Sequence, residues 1–311
     1  MPNTPLRLDA ILAKEESTYG TDAAPVAATD GVRVTERVWS TFTPSFVFPN
    51  AREDVGNGLI AGVPAAPKGR IGVIDIAWEA RGSGTAGTAP EAGPLFVACG
   101  MSETIVAVTS VTYAPIDTGH GSATVWAYAG GKLFKLVGCR GTWTWEVRAG
   151  LLGIVRFNMQ GIITAEVTEV AMPAVTYQAQ IPEAAVGLGL AVGGWSPDVI
   201  QSDTALGNTV SRLDDGNAAD GVGLFAITKT EPTFVLNARE VALATYDPYA
   251  IWKARTVQDA DQTLGATAGN LMALDVNAGG YITNVAPIDD NEHAAWSITY
   301  DIRNAFSVIF T

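Results

Sequence analysis

The stretch from Ser122 to Met159 limits the fold more than any other part of the chain. Gly130-Gly131 separates two runs in which apolar and polar residues alternate, and Ala149-Gly150 separates the second run from a third. Period two with glycine punctuation reads as three antiparallel strands joined by tight turns. In the middle run Val137, Cys139, Trp143, Trp145 and Val147 share one face, opposite Arg140, Thr142, Thr144, Glu146 and Arg148. In the third, Val155, Phe157 and Met159 oppose Arg156, Asn158 and Gln160. A sheet with one apolar and one wet face must cover the first and can leave the second in water.

The same alternation begins at Ile71, where Ile74, Ile76 and Trp78 point one way and Asp75, Glu79 and Arg81 the other. Thr88-Ala-Pro-Glu91 then offers a capping hydroxyl, a proline in the first turn and a glutamate three residues on, ahead of Leu95, Phe96, Val97 and Cys99 and a stop at Gly100. This predicts a short helix. Asp247-Pro248 opens a second one through Tyr249, Ile251, Trp252 and Lys253. Trp296, Ile298, Tyr300 and Ile302 alternate with Ser297, Thr299, Asp301 and Arg303, and Phe306, Val308 and Phe310 form a closing strand. The order strand, short helix, several strands thus occurs twice, at an offset of roughly 150 residues, which suggests a diverged duplication.

With 311 residues the chain has room for one large domain or two of about 155. The expected division is residues 1–172, carrying an N-terminal arm, and 173–311. Hydrophobic residues at 48% and charged ones at 16% exclude a disordered or coiled-coil chain. The net charge is −13, and its placement is uneven: residues 1–160 hold 13 basic and 14 acidic groups, the remainder 6 and 18. Such a surface repels phosphate, so a conventional nucleic-acid binder is disfavoured. No apolar run reaches the ~18 residues of a membrane span, and the N-terminus lacks a signal-peptide pattern. Residues 49–70, rich in Pro and Gly without sustained periodicity, read as a long loop of the kind that functions or is ordered by a partner.

Residues that could carry chemistry are few. His120 and His293 are the only histidines and lack triad or metal spacing. Asp214, Asp215, Asn217 and Asp220 surround Gly216 without the twelve-residue calcium loop, and read as a charged turn. Gly187, Gly189 and Gly193 miss the dinucleotide fingerprint by one position. Asp289 and Asp290 would point to opposite faces of a strand, which argues against a paired-carboxylate hydrolase. Cys99 and Cys139 read as buried free thiols. Trp78, Trp143 and Trp145 lie on apolar faces, so they read as core rather than as sugar platforms. No enzymatic activity and no cofactor are expected.

Several segments together resemble the major tail tube proteins of long, flexible-tailed bacteriophages. These are AKEESTYGTDAAP (13–25), GTAPEAGPLFVACGM (87–101), WAYAGGKLFKLVGCRGTWTWEVRAG (126–150) with VRFNMQG after it, and, in the second half, YDPYAIWKA (246–254), Ala-Gly-Asn at 268–270 and Asn-Val-Ala-Pro at 284–287. The resemblance covers nearly the whole chain. It implies a mainly β protein, an antiparallel β-sandwich or half-barrel with short flanking helices, in one copy or two tandem copies per subunit; the length, about twice 155, and the repeated strand-helix-strand order favour two. Such subunits join edge to edge into rings that stack into a tube, which encloses a tape-measure protein and later conducts DNA. It also implies assembly in the host bacterial cytoplasm, residence in the virion tail, and trimeric pseudo-sixfold rings, with homohexameric rings as the alternative.

Within this resemblance the wet-face residues Asp75, Glu79, Arg81, Arg140, Thr142, Glu146, Arg156 and Asn158 are expected to line the lumen. Tyr19 and Asp22 in the arm, with Arg52, Glu53, Asp54, Lys68 and Arg70 in the loop, are expected to connect rings, both segments being mobile until stacking. The competing reading is a carbohydrate-binding β-sandwich of a tail tip or adhesin, using tryptophans and the Asp214–Asp220 cluster.

Overall fold

The computed structural model describes residues 9–35, 43–45, 71–163, 167–218, 221–303 and 306–311. The chain is mainly β and antiparallel, with short helices. The strands of the first half are β1 (Asp9–Glu15), β2 (Gly31–Val32), β3 (Thr43–Ser45), β4 (Ile71–Glu79), β5 (Met101–Val106), β6 (Ser110–Pro115), β7 (Ala123–Ala129), β8 (Lys132–Arg148), β9 (Ile154–Ile163) and β10 (Thr168–Glu169), with α1 (Gly93–Ala98) after β4. Those of the second half are β11 (Ala191–Val192), β12 (Val199–Ala205), β13 (Asn208–Asp214), β14 (Val222–Thr230), β15 (Thr233–Arg239), β16 (Gln258–Leu264), β17 (Met272–Asp290), β18 (His293–Ile302) and β19 (Phe306–Phe310), with α2 (Pro248–Ala254) after β15.

The meander read from the sequence is present as β7–β8–β9. Gly130 and Gly131 both take positive φ, +56° and +76°, which a two-residue primed turn requires and which L side chains resist. One detail differs. Gly138, at φ +61°, makes a β-bulge: between Val137 and Arg140 the pairing to β9 loses step. The bulge reverses the alternation, so Leu136 and Cys139 enter the main core while Val137 turns to the opposite face and packs with Ile71, Ile162 and Phe225.

The helices divide in the same way. α2 is capped as its sequence implies, Asp247 Oδ1 accepting from Ala250 N at 2.9 Å, and it ends in left-handed Arg255. α1 starts later than expected, at Gly93, with no side-chain cap; Pro94 supplies the first-turn proline. Glu91 does not guard a helix end but turns inward.

A single aromatic core joins the two halves. Phe96 of α1 lies 5.0 Å from both Tyr113 and Phe157, 5.8 Å from Trp143 and 5.9 Å from Phe310 of the closing strand. Trp78, Trp143, Trp145, Trp296, Ile298 and Tyr300 belong to the same buried cluster, which crosses the division expected near residue 172. Cys99 and Cys139 are buried free thiols within it, and burial pushes both thiols above their ordinary range.

The pairing order repeats along the chain. In the first half β4 pairs β9, β9 pairs β8 and β8 pairs β7, with β10 against the near end of β8. In the second, β15 pairs β18, β18 pairs β17 and β17 pairs β16, with β19 against the near end of β17. β3 precedes and pairs β4 as β12 precedes and pairs β15. In sequence the β13–β14 hairpin falls between β12 and β15.

The halves are joined because β12 also pairs the far end of β8, Gln201–Ala205 lying against Arg148–Thr144. One antiparallel sheet therefore runs β3–β4–β9–β8–β12–β15–β18–β17.

Candidate functional site on the polar face of the continuous sheet

Alternation gives this sheet two unlike faces. One carries Ile74, Ile76, Trp78, Val155, Phe157, Trp145, Phe234, Leu236, Trp296 and Ile298 into the core. The other carries Asp75, Glu79, Glu146, Asp203, Asp290 and Asp301 against Arg148, Arg156 and Arg239, with Asn158, Gln201, Asn237, Ser297 and Thr299 between them. Acidic groups outnumber basic ones here, and neighbours partly neutralise the basic ones. Arg156 Nε lies 3.9 Å from Glu146 Oε1, and Arg239 Nε lies 3.2 Å from Asp290 Oδ2. Asn158 Nδ2 donates to Asp75 Oδ1.

Asp203 is half-buried on this face. Partial burial raises its carboxyl pKa above the ordinary value; the nearby Glu146 charge adds to the rise, while the hydrogen bond from Gln201 Nε2 at 2.5 Å opposes it. The surface is one of fixed, mostly negative groups, and it repels phosphate rather than gripping it.

Of the residues singled out in the sequence, Asp75, Glu79, Glu146, Arg156 and Asn158 come together on this face. Arg81 does not. β4 ends at Glu79, so period two no longer applies, and the Arg81 side chain is 1% exposed. Its Nε and Nη2 both donate to Glu91 Oε1, at 3.2 and 2.5 Å, and that oxygen also accepts from Trp78 Nε1 at 2.9 Å and from Arg33 N at 3.1 Å.

Arg140 and Thr142 lie toward the end of the face, but the second half covers them. Arg140 donates to the carbonyls of Gly121, His120 and Phe225, and Thr142 Oγ1 accepts from Asn208 N at 3.1 Å. The β13–β14 hairpin thus lies across this end of the face, with Phe225 and Val222 packed on Ile71, Val137 and Ile162.

The arm residues Tyr19 and Asp22 make contacts within the chain. Tyr19 Oη accepts from Phe225 N at 2.7 Å, and Arg140 stacks over its ring at 4.9 Å. Asp22 accepts from Trp126 Nε1 and Lys135 Nζ, at 3.1 and 3.2 Å. Arg52, Glu53, Asp54, Lys68, Arg70 and the rest of the 49–70 loop lie outside the described residues.

Sequence reading missed the contribution of β12, and the reason is chemical. Its inward residues are Ser202 and Thr204, each 1% exposed, so no apolar alternation marks the strand. Remaining candidates stay dispersed. His120 Nε2 pairs with the Ile116 carbonyl, His293 is exposed, Asp214 pairs with Arg212, and Asp220 lies outside the described residues. Among the described residues no group of His, Cys, Asp or Glu is arranged to hold a metal, and no helix is long and apolar enough to cross a membrane. No protein-family model matches the chain, and no curated protein matches it.

Proposed function

We propose that this chain is a structural, non-enzymatic subunit of a tail tube of a long, flexible-tailed bacteriophage. Copies join into rings, the rings stack in the virion tail, and the channel encloses a tape-measure protein before it conducts DNA. What supports this reading is the continuous sheet β3–β4–β9–β8–β12–β15–β18–β17, apolar on its packed face and mostly acidic on the other. A ring of such sheets has no exposed edges and offers one polar wall. A wall with an acidic excess lets a polyanion pass, since each free lysine or arginine would add salt-sensitive affinity.

In this reading the two halves are tandem tube units, and three copies give a pseudo-sixfold ring. Electron microscopy of the concentrated protein tests it. Stacked rings with an axial hole are expected, and particles that stay single at every concentration overturn it.

A further inference from the structure

The two helices hold matching places in the two halves and are finished differently. In α1, Gly93, Leu95, Phe96, Val97 and Ala98 are all buried. Part of the cover comes from the other half, since Phe96 lies 5.9 Å from Phe310 of β19, and β19 in turn pairs β6 at Val111–Tyr113. In α2 only Pro248 is buried and Ile251 is half-buried, while Tyr249 and Trp252 are exposed. A tyrosine and a tryptophan three residues apart lie side by side on one helix face, and among the described residues nothing covers it.

The charges on this helix are unmatched as well. Residues 161–311 hold six basic groups against 18 acidic ones. Arg212, Lys229, Arg239 and Arg303 each pair with a carboxylate. Lys253 and Arg255, at the C-terminal end of α2, are exposed and, among the described residues, belong to no ion pair. The two cations and the exposed rings together make an apolar and basic patch.

The first half carries the complement. Glu169 of β10 faces Lys132, the first residue of β8, as Phe310 of β19 faces Met272, the first residue of β17. Glu169 and Val167 therefore stand at the places of Phe310 and Val308. Phe310 and Val308 are buried, whereas Val167 and Glu169 are exposed. Among the described residues, β10 pairs only with β8, and Glu169 belongs to no ion pair. Within the chain an aromatic ring of α1 meets an aromatic ring of β19. The unmatched counterparts are cations on α2 and a carboxylate on β10.

We infer that the exposed face of α2 receives the β10 edge of a second copy of this chain, Tyr249 and Trp252 lying against Val167, and Lys253 and Arg255 against Glu169. The inference rests on the ring-forming reading and names the surfaces by which the second half of one copy meets the first half of the next. The chain's own repeat sets the fit, because α1 already receives β19 in this arrangement. The opposite charges steer the encounter and select which patches meet. Each patch binds a different patch, so the contact passes from copy to copy and closes into a ring.

The test uses the full-length protein at concentrations that assemble. Carbodiimide coupling joins an amine to a carboxylate only where the two touch, and it is expected to link Lys253 of one copy to Glu169 of another. Lys253→Glu with Arg255→Glu, and separately Glu169→Lys, should leave the circular dichroism unchanged and raise the concentration needed for rings by about tenfold or more. All three substitutions in one chain should restore assembly. Rings that form without the 169–253 link and ignore both reversals overturn this interface and leave the tube reading standing, as does a loss of assembly that the triple variant fails to recover. A parent protein that stays monomeric at every concentration overturns both.

Discussion

The Arg81 guanidinium meets the Glu91 carboxylate at 2.5 Å with the two side chains 1% and 2% exposed, so a full charge pair lies inside the protein beneath α1. Removing one partner strands the other charge in a low-dielectric site. Arg81→Met is expected to cost about 3–5 kcal/mol, read from the urea midpoint. Arg81→Met combined with Glu91→Leu should recover part of that loss, because no buried charge remains; a double variant no better than the single would refute the argument.

Gly138 allows the bulge that flips the face of β8. A Cβ there would lie 2.8 Å from the Tyr19 ring, at a φ of +61° that L residues resist. Gly138→Ala is therefore expected to destabilise the protein by about 1–3 kcal/mol and to displace Tyr19 from the Phe225 amide. Hydrogen exchange at Phe225 should accelerate more than exchange in β9; equal acceleration at both sites would mean that the hairpin is not held through Tyr19.

The raised pKa of Asp203 has a definite sign in stability. An acid whose folded pKa lies above its unfolded value favours the folded state less once it ionises, so the penalty grows as pH rises through that window and persists above it. Asp203→Asn keeps an acceptor for Gln201 and cannot ionise. It is expected to be more stable than the parent at neutral pH and to lose that advantage below about pH 4, where the parent carboxyl is protonated in both states. Urea midpoints across this range decide the point, and an advantage that does not change with pH counts against the assignment.

Free cations on the polar face should turn a repelling wall into an adhesive one. Asp75→Lys with Asp301→Lys places two of them on β4 and β18. Duplex DNA binding that is absent in the parent should appear at low salt, and the slope of log K against log salt should steepen by about 0.9 for each phosphate that a new lysine neutralises. A variant that still ignores DNA would show that this face is not accessible to the duplex.

The meander β7–β8–β9, the Trp296–Ile302 strand and the Asp247 cap are legible in the sequence because local chemistry alone specifies them: glycines at positive φ, alternation, and an oxygen three residues ahead of a free N–H. Val137 departs from its expected face because counting by twos passes silently through the bulge at Gly138, although a glycine inside a strand is itself a warning. Arg81 departs from its own for a related reason, since the same count runs on past the end of β4. The pairing of β12 with β8 is beyond local reading, because its inward residues are Ser202 and Thr204 and the strand it pairs with lies more than fifty residues earlier. So half the polar face can be named from the sequence, while Asp203, Arg239 and Asp290 emerge only once the strands are laid side by side.

Because the far end of β8 is completed by β12, the order of synthesis matters. The strand ending at Arg148 is made 57 residues (205 − 148) before Ala205, the end of its partner. At about 5–20 residues per second the ribosome takes roughly 3–11 s to cover that distance. Throughout that interval the nascent chain carries an open backbone edge beside Trp143 and Trp145, the kind of surface on which strands of other chains can pair. Slower translation between residues 148 and 205 should therefore lower the yield of native subunits, while the same delay placed after residue 205 should matter less.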